Sequence, residues 1–209
     1  MTTYGAAEFA AEYGLTPEQR EQAERYAALL LETQSHTNLI GAATIPDLWR
    51  RHFADSAQLL ALGPEGGRWV DLGSGAGFPG LVLAILNQPV TLIESRQKKA
   101  AFLARTAEAL GLGDRVEVRA ERIESSPAYK AAAITCRALA PVARLFDWGL
   151  RFAQHNTVWI LPKGATVDSE LSKAATRFRF DHRLVPSRTA ANGRIVVAHN
   201  VFHVKQGRR

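Results

Sequence analysis

The stretch Trp69-Val70-Asp71-Leu72-Gly73-Ser74-Gly75-Ala76-Gly77-Phe78-Pro79-Gly80 decides the fold. An apolar strand closes on an acid, then opens into a loop with four glycines in eight residues. An apolar segment, Leu81 to Leu86, follows at once. Glycine lets the backbone turn sharply and approach a ligand with no Cβ in the way. The start of the next helix is expected to present free N–H groups and a partial positive charge. Units of this kind bind nucleotide-like cofactors.

Outward from this loop, the apolar period repeats. Strand-like runs fall at Arg68–Leu72, Val90–Glu94, Val116–Arg119, Ala132–Cys136, Thr157–Leu161, Arg179–Val185 and Arg194–Val204. Helix-like segments separate the first five. In Gln97–Leu110, for example, Ala101, Leu103, Ala104, Ala107 and Leu110 recur at helical spacing. Alternating strands and helices predict an α/β, mostly parallel, seven-stranded sheet covered on both faces. The last two runs have no long helix between them and predict an antiparallel edge pair, turning at Ala191-Asn192-Gly193.

The first 66 residues read differently. Thr16-Pro17-Glu18-Gln19 is a capped helix start, and Ala23, Ala27, Leu30 and Leu31 form its apolar stripe. Thr44-Ile45-Pro46-Asp47 repeats the signal before a second predicted helix carrying Leu48, Trp49, Phe53, Ala57 and Leu60. Gly63-Pro64-Glu65-Gly66-Gly67 breaks the pattern. The expected organisation is a helical extension, 1–66, packed on a core unit, 67–209.

Bulk properties narrow the class. At 209 residues and 46% hydrophobic, the chain suits one domain with an appendage. A single cysteine, Cys136, excludes an internal disulfide and a multi-cysteine zinc site. No signal-peptide pattern and no apolar run of membrane-spanning length is present, so a cytoplasmic protein without metal is expected. Residues 1–66 carry 4 basic and 9 acidic side chains, whereas 67–209 carry 22 basic and 11 acidic. That asymmetry predicts a polyanionic partner, nucleic acid above all.

Two acids bear on the ligand. Glu94 ends the second strand, 23 positions after Asp71, where a carboxylate can accept hydrogen bonds from both hydroxyls of a ribose. Asp71 beside the first glycine would repel a pyrophosphate and suits a cationic ligand such as S-adenosylmethionine. A dinucleotide site and a plain tight turn are the alternatives the loop leaves open.

The loop resembles the signature of the RsmG (GidB) family of bacterial 16S rRNA guanine-N7 methyltransferases. Further blocks match in order: Thr37-Asn38-Leu39-Ile40, Arg51-His52-Phe53-Ala54-Asp55-Ser56, Val90 to Ser95 with Lys98-Lys99, Arg122-Ile123-Glu124, Cys136-Arg137-Ala138 and Leu161-Pro162-Lys163-Gly164. Glu94 stands where members often have Asp, and Cys136 where they have Ser. The resemblance implies a Rossmann-like, S-adenosylmethionine-dependent methyltransferase fold. It also implies methylation of N7 of a guanine at position 527, in the 530 loop of 16S rRNA, by a monomer acting on the RNA or the 30S particle. Cofactor contacts are then expected at Asp71, Gly73, Gly75, Phe78, Glu94, Ile123, Glu124 and Arg137, with Asn38, His52 and Asp55 forming a wall beside them.

The residues fit such chemistry. Methyl transfer mainly requires holding nucleophile, carbon and sulfur in line. Thr135-Cys136-Arg137-Ala138-Leu139-Ala140-Pro141 does not match the Asn/Asp-Pro-Pro loop used for exocyclic amines. Guanine N7 needs no general base, and none is identified; Arg137 is the nearest candidate contact. Cys136 after the fourth strand leaves covalent catalysis as a minor alternative. RNA contacts are expected from Asn38, Arg51, His52, Arg96, Lys98, Lys99 and Lys163, from the basic edge strands, and from the tail Lys205-Gln206-Gly207-Arg208-Arg209. Phe78 and Trp49 are candidates to stack on a base. Another RNA base, a small-molecule acceptor, or a non-catalytic RNA-binding role are the competing functions.

Overall fold

A computed structural model describes residues 4–204; the basic tail named above lies outside the described residues. The sheet contains β1 (Trp69–Leu72), β2 (Val90–Ile93), β3 (Val116–Arg119), β4 (Ala133–Thr135), β5 (Val158–Lys163), β6 (Phe178–Pro186) and β7 (Arg194–His203). Their order is β3-β2-β1-β4-β5-β7-β6. The first five strands pair in parallel; β7 runs antiparallel to both β5 and β6. Parallel neighbours need long crossover connections: a helix follows β1, β2 and β4, but the helix expected between β3 and β4 is absent and residues 120–132 make that crossover without one, whereas the short β6–β7 connection permits an antiparallel pair. The connection spans Ser187–Gly193 and includes the predicted turn residues. The chain leaves β1 toward β2 on one side, while β4 lies on the other. That strand-order reversal opens a crevice at the C-terminal ends of β1 and β4.

The N-terminal segment supplies α1 (Ala6–Tyr13), α2 (Pro17–Gln34) and a short α3 (Asp55–Ala57). Thr16 and Gln19 cap α2 reciprocally, as the sequence predicts. Helix α1 was not foreseen. Nor is the second predicted helix regular. It is a 3-10 turn (Ala42–Asp47), a π-helical turn (Trp49–Ala54), α3 and another 3-10 turn (Leu60–Leu62). Pro46 interrupts the α-pattern. The wider π-turn brings His52, Phe53 and Ala54 all inward.

The remaining helices are α4 (Gly80–Ile85), α5 (Gln97–Ala109), α6 (Val142–Gly149) and α7 (Val167–Ala175). Every residue of α4 is buried, which accounts for its unbroken apolar sequence: such a helix has no solvent face. It lies between the sheet and the N-terminal helices. Gly80 is required there, because a Cβ would fall 2.2 Å from Leu92 Cδ2. An aromatic cluster of Phe9, Tyr26, Phe53 and Phe78 joins α1, α2, the π-turn and the glycine loop, with ring centroids 5.1–5.7 Å apart. Each such ring contributes about 1.5–3 kcal/mol through burial. No helix among the described residues is long and apolar enough to cross a membrane.

Candidate active site

Gly73, Gly75 and Gly77 adopt φ of +66°, +59° and +100°, conformations that penalise a side chain. The loop they form is anchored by Glu94. Its Oε2 accepts the Gly75 amide at 2.9 Å and its Oε1 the Arg96 amide at 2.7 Å. Each oxygen retains a free lone pair. Glu94 and the loop border a cavity of about 630 Å³, whose walls include Gly73, Gly75, Phe78, Ile123, Glu124 and Arg137. Volume and composition suit a small cofactor. A Cβ on Gly75 would meet no atom nearer than the Gly73 carbonyl at 3.8 Å. Its bareness therefore serves the cavity and the backbone, not packing within the loop.

Asp71 departs from expectation. Its carboxyl is fully buried and absent from the cavity wall. One oxygen, Oδ2, accepts the Gly80 amide at 3.3 Å, while Oδ1 has no partner. Burial pushes the carboxyl up to about 7, against the pull of its hydrogen bonds and of Arg137. Asp71 thus stands one layer behind the ligand. The helix start is not a row of free amides either, since Gly80 N–H serves Asp71 and Leu81 N–H serves the Gly77 carbonyl at 2.7 Å.

Arg137, after β4, is held by acceptors from the π-turn. It donates to the Arg51 carbonyl at 3.1 Å and to His52 Nδ1 at 2.6 Å, and pairs with Asp55 Oδ2 at 3.5 Å. A guanidinium only donates, so His52 Nδ1 accepts and Nε2 carries the proton. Nε2 donates to Thr44 Oγ1 at 2.8 Å, and that hydroxyl donates to the Gly41 carbonyl at 2.7 Å. Burial, then Arg137 and Arg51, lower the His52 pKa to about 3, so the ring is neutral. The relay fixes Leu39–Gly41 against the same cavity. Gln34 reinforces it by accepting the Leu39 and Ile40 amides. Leu39 and Ile40 belong to the quoted block Thr37–Ile40, but sequence reasoning assigned the site role to Asn38 and not to these three wall residues. Asn38 itself is exposed and outside the wall.

A second cavity, about 940 Å³, shares Arg137, Ala138 and Leu139 with the first. Ala138 holds φ at +53°, an uncommon conformation for a side-chain-bearing residue. The wall continues through Ala140, Lys163, Gly164 and the Ser187–Gly193 turn, with Arg51 at its margin. Lys163 is neither solvated nor free for phosphate. Its side chain is 9% exposed, bound to Glu170 Oε2 at 2.9 Å and the Ala140 carbonyl at 2.6 Å. Glu170 also accepts the Val142 amide at 3.0 Å. The pair therefore pins the loop after β4.

Other expectations resolve locally. Arg96 and Lys98 are exposed at the start of α5, and Arg96 and Lys99 border the smaller cavity. Trp49 packs on Phe53 at 4.3 Å and lines neither cavity, so it is not placed to stack on a base. Phe78 does line the smaller cavity, yet is almost fully buried beneath Arg137 and His52. Burial raises the Cys136 pKa strongly, with Asp71 adding to the shift. A thiol so held is no nucleophile. Among the described residues, no group of His, Cys, Asp and Glu is placed to hold a metal ion.

Strand order and crevice together are those of the S-adenosylmethionine-dependent methyltransferases. Solved structures share the fold. A mutant of MtNAS in complex with S-adenosylmethionine matches with TM-score 0.59 and 21% identity, over 87% of this chain and 76% of that one. A Bacillus cereus O-methyltransferase in complex with SAH matches with TM-score 0.56 and 16% identity, over 84% and 90%. The family follows from sequence. The model of GidB, rRNA small subunit methyltransferase G, matches residues 19–195, and the chain belongs to this family. Relatives carrying the name ribosomal RNA small subunit methyltransferase G include one from Rhizorhabdus wittichii, 43% identical over 182 residues (85% of this chain, 84% of the relative). Another, from Rhodospirillum centenum, is 43% identical over 196 residues (93% and 90%).

Proposed function

We propose that this chain transfers a methyl group from S-adenosylmethionine to N7 of a guanine of 16S rRNA, at position 527 in the 530 loop. The observation that carries this reading is the junction of two cavities at Arg137–Leu139, one bordered by the glycine loop and Glu94, the other lined by the Ser187–Gly193 turn and the loop after β4, with Arg51 and Arg194 among its wall residues. When bound, the cofactor supplies an activated methyl group. Glu94 offers free lone pairs to the ribose hydroxyls. Ile123 and Glu124 border the adenine side, and Leu39–Gly41 close the opposite wall. The target base enters the larger cavity, with Arg51 at its margin meeting phosphate there, while Arg96, Lys98 and Lys99 meet phosphates on the side of the smaller cavity.

The surroundings suit an acceptor with a lone pair and no proton to lose. Burial and neutrality of His52 keep it structural, and Cys136 is inert. Such a site works by positioning, which N7 permits. The net charge of +11 on residues 67–209 favours RNA over a small neutral acceptor. The extension 1–66 serves as part of this one unit, since its π-turn holds Arg137.

The test is to incubate the protein and labelled donor with 30S particles, and separately with 16S rRNA, from a strain lacking this modification. Mass spectrometry of nuclease fragments should place 7-methylguanosine in the 530 loop. Label at another base, or none on either substrate, would overturn the reading.

A further inference from the structure

The turn between β6 and β7 is tied to the wrong end of the chain for a simple hairpin. Apart from a contact with adjoining Arg194, the side-chain-mediated bonds that leave Ser187–Gly193, among the described residues, run to the N-terminal extension. Arg188 pairs with Glu12 at 3.0 Å. The Arg188 amide donates to Gln58 Oε1 at 2.9 Å. Thr189 Oγ1 donates to Asp55 Oδ1 at 2.5 Å, and that same oxygen accepts Gln58 Nε2 at 2.9 Å. The other oxygen of Asp55 faces Arg137 at 3.5 Å. One carboxylate therefore links the turn to the arginine shared by both cavities.

This junction is not needed to attach the extension. The aromatic cluster and buried α4 already do that with apolar area, whereas a hydrogen bond exchanged with water adds little net stability. What the polar bonds add is direction: they fix where the turn stands. The turn forms one wall of the larger cavity, facing the Arg137–Pro141 loop that Lys163 and Glu170 pin from the other side.

We propose that Asp55, acting through Thr189, is a positioning residue for the acceptor. It sets the Ser187–Gly193 turn at the distance from Arg137 that grips a nucleotide of folded RNA. The proposal rests on the larger cavity being the acceptor site. Asp55 itself lines the larger cavity between these two walls, and its role here is to align them through Thr189 and Arg137.

Thr189→Val keeps the shape and removes the hydroxyl; Thr189→Ser restores it. Steady-state methylation of 30S particles gives KM for the RNA, and calorimetry with S-adenosylhomocysteine reports the cofactor site and the fold. The expected result is a KM raised more than threefold by Thr189→Val, cofactor affinity within twofold of wild type, and recovery with Thr189→Ser. In an Asp55→Asn background, Thr189→Val should add less than twofold. A KM changed less than threefold would overturn the proposal. So would parallel loss of cofactor affinity, failure of the serine variant to recover, or full additivity with Asp55→Asn. If wild type leaves the RNA unmethylated, the acceptor reading falls first and takes this one with it. A normal Thr189→Val enzyme would remove this one alone.

Discussion

Replacing Asp71 by Asn should change the pH dependence of stability in a defined direction. The carboxyl is fully buried, with one oxygen on the Gly80 amide and the other unpartnered. Its pKa of about 7 in the folded chain stands against an ordinary 3.8. Between those values folding takes up a proton, so wild type loses stability as pH rises from about 4 to 7 and then levels off. About three pH units at about 1.4 kcal/mol each set a ceiling of ~4 kcal/mol. Asn does not ionise, so this loss is absent from the variant. It adds an N–H pair beside the unpartnered position, a cost of about 1–3 kcal/mol that does not vary with pH. The stability of Asp71→Asn relative to wild type should therefore climb by about 2–4 kcal/mol between pH 4 and 8. Urea unfolding of both proteins at pH 4, 5, 6, 7 and 8 reads this directly. A relative stability constant across the series would refute the burial reasoning, because it would mean the acid ionises as if in water.

Three further outcomes are expected. Glu94→Ala should weaken S-adenosylhomocysteine by about 1–3 kcal/mol in calorimetry, through unpaired ribose hydroxyls and a loosened loop; unchanged affinity would remove Glu94 from the site. Gly75→Val should abolish cofactor binding while thermal unfolding shows a loss of only about 1–3 kcal/mol from the positive φ, since its Cβ meets no nearby atom. His52, with its pKa lowered to about 3 from 6.5, disfavours the fold progressively as pH drops below about 6.5. Relative to His52→Gln, wild type should have lost about 2 kcal/mol by pH 4.5 in chemical denaturation, and no relative loss would show the ring to be protonated freely.

The sheet was legible because its signals are local. The glycine loop, the alternation of strands with helices (which fails only between β3 and β4), and the missing helix between the last two strands each lie within one stretch of chain. The seven strands fall within a few residues of their predicted ends. Helix α1 was not legible: eight residues behind a glycine cap, burying only Phe9, give too short a period. The π-turn was missed because a residue added to a turn shifts every inward position after it. At the site, Gly73, Gly75, Phe78, Glu94, Ile123, Glu124 and Arg137 line one cavity. The misplacements have one cause. The depth of Asp71, the pairing of Lys163 with Glu170, and the link from Asp55 to Thr189 across 134 positions depend on packing between distant elements. Side-chain type alone does not reveal a partner so far along the chain.

A crystal structure of this protein with S-adenosylhomocysteine would be the most direct trial. It should show the ribose hydroxyls within hydrogen-bond distance of both Glu94 oxygens, the adenine beside Ile123, and the sulfur directed at the opening beside Arg137–Leu139. A ligand seated elsewhere, or a ribose turned away from Glu94, would contradict the assignment.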